Sequence, residues 1–331
     1  MMYEEFENKL FAQIREEYPG VSIEDHYVEK LNGQGYDGVH VQLPGESIGI
    51  TLNTWDLYGQ NMEGRPMDNI LEAIRDGLAE RMEIPTQILE DYGSIRDKLL
   101  LQVVETKTNQ DMLKNIPHKE EQDMSVVYRI ILDGDATGQH SAIITNEFME
   151  SLGITAEQLD ADARASAREH FPASVRSMNE VLADLMGVPP EMMPKSQSDM
   201  YVATCNGGLM GAGCMFYPDF MEEAAKTVGG NFFVLPSSIH EVILVPEGVL
   251  SWDKLQDMVQ QINVTEVSAE DKLSDTVYHY DAKEHIFEMA DQYAERQATH
   301  DKTPSLSERL AEKQQSFKVR PHAHEPKEPE R

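Results

Sequence analysis

The chain has 331 residues, 40% of them hydrophobic, and 59 acidic against 28 basic side chains, for a formal net charge of -31. A surface this negative repels phosphate backbones and counts against direct nucleic-acid binding. Two cysteines are too few for a disulfide scaffold or a four-thiolate zinc site. The length suits one large or two modest domains, and no apolar run is long enough for a signal peptide or a membrane span. The chain therefore reads as cytoplasmic, with reduced thiols.

Residues 2–17 carry Phe6, Leu10, Phe11 and Ile14 at helical spacing, and Pro19-Gly20 ends the helix. Strands are expected at 21–31, 38–43 and 47–51. In the second, Val39, Val41 and Leu43 alternate with His40 and Gln42, the pattern of a half-buried strand. Asn32-Gly33 and Pro44-Gly45 supply turn chemistry, so these strands form an antiparallel meander. A helix follows at 67–82, with Ile70, Leu71, Ile74, Leu78 and Met82 on one stripe.

Residues 98–105 read as a strand and 109–115 as a short helix. A β-branched strand at 124–132 turns through DGDATG into a strand at 141–145. Helices are expected at 146–152, 156–170 and 177–186. Thr155 caps the second of these, and Gly187 with Pro189-Pro190 stops the third. MYVATC and LMGAGCMF flank Asn206-Gly207-Gly208, a hairpin signal because Asn and Gly tolerate positive φ. Pro218 opens a helix that Gly229-Gly230 closes. Apolar runs at 232–235 and 241–245 are joined by the link 236–240, too short for a parallel crossover, so they are antiparallel neighbours. A helix at 252–262 and a small hairpin at 276–280 and 285–287 complete the pattern.

From about Gln297 the chain turns polar and proline-bearing, as a disordered tail does, with one short helix around 306–315. The expected fold is α+β: antiparallel sheets with interleaved helices in two lobes, residues 1–120 and 121–295, the second holding the 232–245 hairpin, and a polar tail over 296–331. The acids are interleaved with apolar positions rather than gathered in blocks, which marks a solvated face and not a nucleic-acid mimic.

No cofactor or metal site is expected. Asp133-Gly134-Asp135-Ala136-Thr137-Gly138 begins like a calcium loop, but its twelfth position is Ile144 where a bidentate Glu belongs, and strands flank it. Gly207, Gly208, Gly211 and Gly213 lack the Gly-Lys-Ser/Thr ending of a phosphate loop. His322 and His324 lie in the tail without neighbours that complete a four-ligand site. The 18 methionines read as core gap-fillers.

LPSSIHEVILVP, residues 235–246, is the one stretch with nucleophile and base side by side. Strand alternation puts Ser238 and His240 on one side and Glu241 on the other. The candidate catalytic residues are accordingly Ser237, Ser238, His240 and Glu241, with Cys205 as a further nucleophile and Asn263 as a neighbour in space. There is no Gly-x-Ser-x-Gly elbow. Serines at a turn satisfy backbone groups, and a small cysteine in a strand serves as a hydrophobe, so each of these residues also has a purely structural reading.

NIPHKEEQDMSVVYRIIL, ITNEFMESLGI, MYVATCNGGLMGAGCMFYPDFMEEAAKTVGGNFFVLPSSIHEVILVPE and MVQQINVTEVSAEDKLSDTVYHYD occur in this order. In them the chain resembles a domain-of-unknown-function family of gut Firmicutes, often encoded near conjugative or other mobile elements. The resemblance covers about residues 1–287 and brings no activity, cofactor or site residue. The lack of a complete catalytic constellation, together with an acidic surface suited to a basic protein partner, points to a cytoplasmic accessory or interaction protein of a mobile element without chemistry of its own. The alternatives are a hydrolase or transferase centred on Ser238 and His240, and a small-ligand sensor with a pocket between the sheets.

Overall fold

A computed structural model gives the chain's fold. It describes residues 1–46, 49–82, 89, 91–132, 141–193, 200–236 and 238–302. The DGDATG loop, Ser237, and the tail with His322 and His324 lie outside the described residues.

The first unit is α1 (Tyr3–Glu17), the meander β1 (Ser22–Glu29), β2 (Gly35–Gln42) and β3 (Ile50–Leu52), then α2 (Thr54–Met62) and α3 (Met67–Met82). The strands are antiparallel in the order β1-β2-β3, as the turn residues predict. Phe6, Leu10 and Ile14 from α1 meet Val41, Leu52, Ile70, Ile74 and Leu78 in one core. The helix α2 is not anticipated by periodicity, since its stripe is broken by Gly59 and its Trp55 and Met62 are exposed. Its signal is polar: the Asn53 side chain caps it by accepting from Asp56 N–H.

After the short α4 (Tyr92–Arg96), the second sheet is built on β6 (Met124–Ile131). One edge of β6 pairs with β4 (Leu99–Glu105). The other pairs first with β5 (His118–Glu121) and then with β7 (Ser141–Ile143). The short α5 (Gln110–Leu113) lies between β4 and β5 in the chain. The position of the expected lobe division, 120/121, lies within β5. Then come α6 (Asn146–Ser151), α7 (Ala156–His170), β8 (Ser174–Ser177) and α8 (Met178–Met186). Thr155 caps α7 and Gly187 closes α8 in the left-handed region, both as expected.

The third sheet has six antiparallel strands in the order β13-β12-β10-β11-β9-β8. Its remaining members are β9 (Tyr201–Thr204), β10 (Phe232–Leu235), β11 (Val242–Pro246), β12 (Tyr278–Asp281) and β13 (Ile286–Met289); the helices are α9 (Phe220–Val228), α10 (Trp252–Thr265) and α11 (Ala290–Lys302). The 232–245 hairpin forms as the short link requires, with Phe233 opposite Val245 and Leu235 opposite Ile243. One face of this sheet packs Phe232, Val234, Val242 and Leu244 into the main core, shared with Leu99, Leu101, Met124 and Tyr128 of the second sheet. The other face packs Phe233, Leu235 and Val245 against Leu255 and Val259 of α10.

Three expectations are corrected. LMGAGCMF is not the second arm of a hairpin: Gly211–Phe216 is a buried 3-10 segment, and β9 pairs instead with β11 and β8. The reason is close approach. A Cβ on Gly211 would stand 2.6 Å from His240 O, and one on Gly213 would stand 2.6 Å from Leu101 O, so only glycines let this segment wedge between the sheets. The helix expected at Pro218 begins two residues later, because Asp219 takes a left-handed φ of 63° as its N-cap. Helical structure also continues past Gln297 to Lys302, where the tail was expected to have begun.

The first unit meets the rest through the β1–β2 turn. Asn32, at φ 60°, donates from Nδ2 to Ala269 O (2.8 Å) and Lys272 O (2.7 Å). Its own N–H is taken by Oδ1 of buried Asn109 (2.8 Å). Lys30 Nζ adds an ion pair to Glu270 at 2.9 Å. This docking sets a wall of the cavity described below.

Candidate functional site

The link 236–240 is not a free turn. Ile239 N–H donates to Asp271 O (2.8 Å), its carbonyl accepts from Ala212 N–H (3.1 Å), and Pro236 O accepts from Ser274 N–H (3.0 Å). The 268–275 segment thus runs alongside it, with Ser238 bridging antiparallel to Lys272. Ile239 is buried, Ser238 and His240 are half-buried, and Glu241 faces solvent.

His240 is clamped on both ring nitrogens. Met210 N–H donates to Nδ1 at 3.3 Å. Nδ1 is then the acceptor, so Nε2 carries the proton and donates to Asp271 Oδ1 at 3.1 Å. Asp271 is held in turn by Ser268 Oγ–H at 2.8 Å. The His240 carbonyl accepts from Thr204 Oγ1 at 2.8 Å, and its N–H donates to Ser238 Oγ at 3.1 Å. The Ser238 hydroxyl oxygen therefore binds the backbone of His240, and neither ring nitrogen is left to take its proton. An Asp–His pair orients a base for a nucleophile in hydrolases; here the nucleophile's place on the ring is filled by a backbone amide.

Cys205 lies apart from His240's ring chemistry. It is 2% exposed, accepts from Tyr217 O–H at 3.1 Å and directs its thiol to Gly211 O at 3.6 Å. Burial pushes the Cys205 thiol up to about 11 and the neighbouring Cys214 thiol well above the usual range. A nucleophilic cysteine needs the opposite shift. Asn263 anchors α10, donating to Ser274 O and Asp275 Oδ1, both at 2.8 Å.

Behind the link opens a cavity of about 350 Å³. Ile239 and Asp271 form one wall, Lys30 and Leu31 of the docked turn another, and Gln102, Arg129 and Ile143 of the second sheet its floor. Gln102 and Arg129 share a sheet face because Gln102 sits opposite Val127, two residues before Arg129. The Arg129 side chain donates from Nε to Ser141 Oγ (3.0 Å), from Nη2 to Ser141 O (2.9 Å) and from Nη1 to Gln102 Oε1 (3.2 Å).

A second concavity, of about 410 Å³, lies between α1, α2 and the β1–β2 hairpin. Cross-strand pairing puts Asp25, Tyr27, Asp37 and Val39 on one sheet face. Opposite them, Trp55 stacks on Tyr3 with ring centroids 4.1 Å apart, and Tyr3 O–H donates to Glu7 Oε1 at 2.8 Å. Trp55 and Tyr27 are about three-fifths exposed, at 59% and 60%. Among the described residues that line it there is no lysine or arginine.

Of the sequence candidates, the structure brings His240 and Ser238 together and leaves Glu241 and Cys205 elsewhere; Ser237 is outside the described residues. Asp271, Arg129 and Trp55 were missed. Arg129 had a signal, being the one charge inside the strand MSVVYRII. Asp271, 31 residues from His240, had none.

These features define an α+β protein whose described residues form three antiparallel sheets and line two concavities. The chain belongs to the family of unknown function DUF5688, whose model matches residues 3–282. No curated protein and no solved structure matches it.

Proposed function

We propose that this chain is a cytoplasmic accessory protein of a bacterial mobile element, acting by binding a basic protein partner and without catalysis of its own. The groove between α1, α2 and the β1–β2 hairpin carries the reading. It offers the exposed rings of Tyr27 and of Trp55, the latter backed on one face by Tyr3, beside the carboxylates of Glu7, Asp25 and Asp37. A lysine or arginine side chain set there gains about 0.5–1 kcal/mol from an aromatic face at an exposed site. The net charge of -31 adds long-range attraction. The clamped ring of His240 and the buried thiol of Cys205 support the absence of catalysis. The mobile-element setting rests on the resemblance of the long motifs quoted above.

Titration of the full chain with hexalysine, followed by tryptophan fluorescence, tests this. Binding is expected, weakening with salt, and falling about three- to ten-fold in Trp55→Ala and in Asp25→Asn with Asp37→Asn. Undiminished affinity in both variants would remove the groove from the reading. Ester, amide or phosphoester turnover that disappears in His240→Ala would overturn its non-catalytic part. A small-ligand sensor is the second reading, favoured by the cavity behind the 236–240 link.

A further inference from the structure

Among the described residues, the Arg129 guanidinium has no acidic partner. It has five N–H donors, and three of them go to neutral oxygens of Ser141 and Gln102. No carboxylate among the described residues pairs with it. A charge taken from water is costly unless it is paired. Arg129 is half-buried, and this burial lowers its pKa. The acids that line the cavity are engaged or lie on other walls. Glu270 pairs with Lys30 at 2.9 Å, and Asp271 accepts from His240. Two Arg129 N–H bonds remain, one on each terminal nitrogen, which is the number a bidentate carboxylate takes. The cavity that Arg129 lines is also walled by the apolar side chains of Leu31, Met112, Ile143 and Ile239.

We propose that this cavity binds a small organic carboxylate with an apolar body, its carboxylate paired with Arg129 and its body against Leu31, Ile143 and Ile239. The proposal rests on the small-ligand reading above and narrows it to one chemical class. It is independent of the aromatic groove. Glu29, which also lines the cavity and pairs with no cation among the described residues, favours a ligand that carries an amine as well.

The test is thermal unfolding of the full chain with about 10 mM benzoate or 4-methylpentanoate, each against its neutral amide, and with L-leucine. A carboxylate is expected to raise the midpoint while its amide does not, and L-leucine to exceed 4-methylpentanoate. Calorimetric titration should show at least about ten-fold weaker binding in Arg129→Met. Arg129→Lys, which keeps the charge but loses the fork, should fall between, and it serves if the methionine variant does not fold. An amide as effective as its acid would overturn the carboxylate assignment and leave the sensor reading standing. No shift with any compound would overturn both. A shift that survives at full strength in the Arg129 variants would place the ligand elsewhere and sink the proposal.

Discussion

Gly211→Ala should be among the most damaging single-methyl additions to this protein, although its backbone needs no positive φ. The new Cβ would stand 2.0 Å from Thr204 Oγ1, 2.6 Å from His240 O and 2.7 Å from Cys205 N. Thr204 can rotate away only by giving up its hydrogen bond to His240 O, about 1 kcal/mol. The two backbone contacts stay below 3.0 Å after that rotation. They can be relieved only by moving β9 or β11, which are locked together by the pairing of Ala203 with Val242. Overpacking of this kind costs about 1–3 kcal/mol, so a total loss of about 2–4 kcal/mol is expected. The matched control is Gly59→Ala in α2, where an added Cβ meets nothing within 4 Å. Mid-helix Gly to Ala should stabilise by about 0.5–1 kcal/mol. Urea unfolding of both variants gives the comparison as opposite shifts of midpoint. A Gly211→Ala variant within about 0.5 kcal/mol of wild type would refute the close-approach account of this segment. It would also undercut the placement of Met210 N–H on His240.

Two further predictions concern buried titratable groups. His279 is fully buried, stacked on Tyr293 at 3.6 Å, with neither ring nitrogen hydrogen-bonded. Burial outweighs the Glu247 carboxylate 3.8 Å away and holds its pKa below the usual value. The unfolded chain therefore takes up this proton first, and the linked stability is full above about pH 6.5 and lost as pH falls through the lowered folded pKa, at about 1.4 kcal/mol per unit of depression. His279→Phe should flatten that part of the pH profile in urea midpoints between about pH 7 and 5; parallel profiles for variant and wild type would count against it. The thiols of Cys205 and Cys214, both buried with pKa pushed up, should resist iodoacetamide in the folded protein at about pH 8 and react once it is denatured. Rapid native labelling of Cys205 would contradict its placement.

Much of the fold was legible because apolar periodicity is a local signal. Phe6, Leu10 and Ile14 name the buried stripe of α1, and all three are buried. The short link 236–240 dictated an antiparallel pair, and β10 and β11 are one. What escaped were elements whose apolar signal is weak. β5 reads HKEE and β8 reads SVRS; each is a strand only because β6 or β9 offers it a free edge. LMGAGCMF failed for the opposite reason. A short apolar run with glycines satisfies either period, and the space between the sheets decided it.

The candidate site divides in the same way. The sequence by itself determined that Ser238 and His240 would sit where a tight link enters a buried strand, since chain connectivity allows little else. It also determined an acidic, interleaved surface. Only the tertiary structure decided what the His240 ring touches, because Met210 and Asp271 reach it from segments 30 and 31 residues away. Only there does the turn at Leu31 come to rest over Arg129 and close a cavity. Local spacing encodes which face of an element is apolar. It carries no record of which distant polar groups will meet once those faces are buried, and at this site it is those meetings that turn a serine–histidine pair into a structural clamp and an isolated strand arginine into the floor of a pocket.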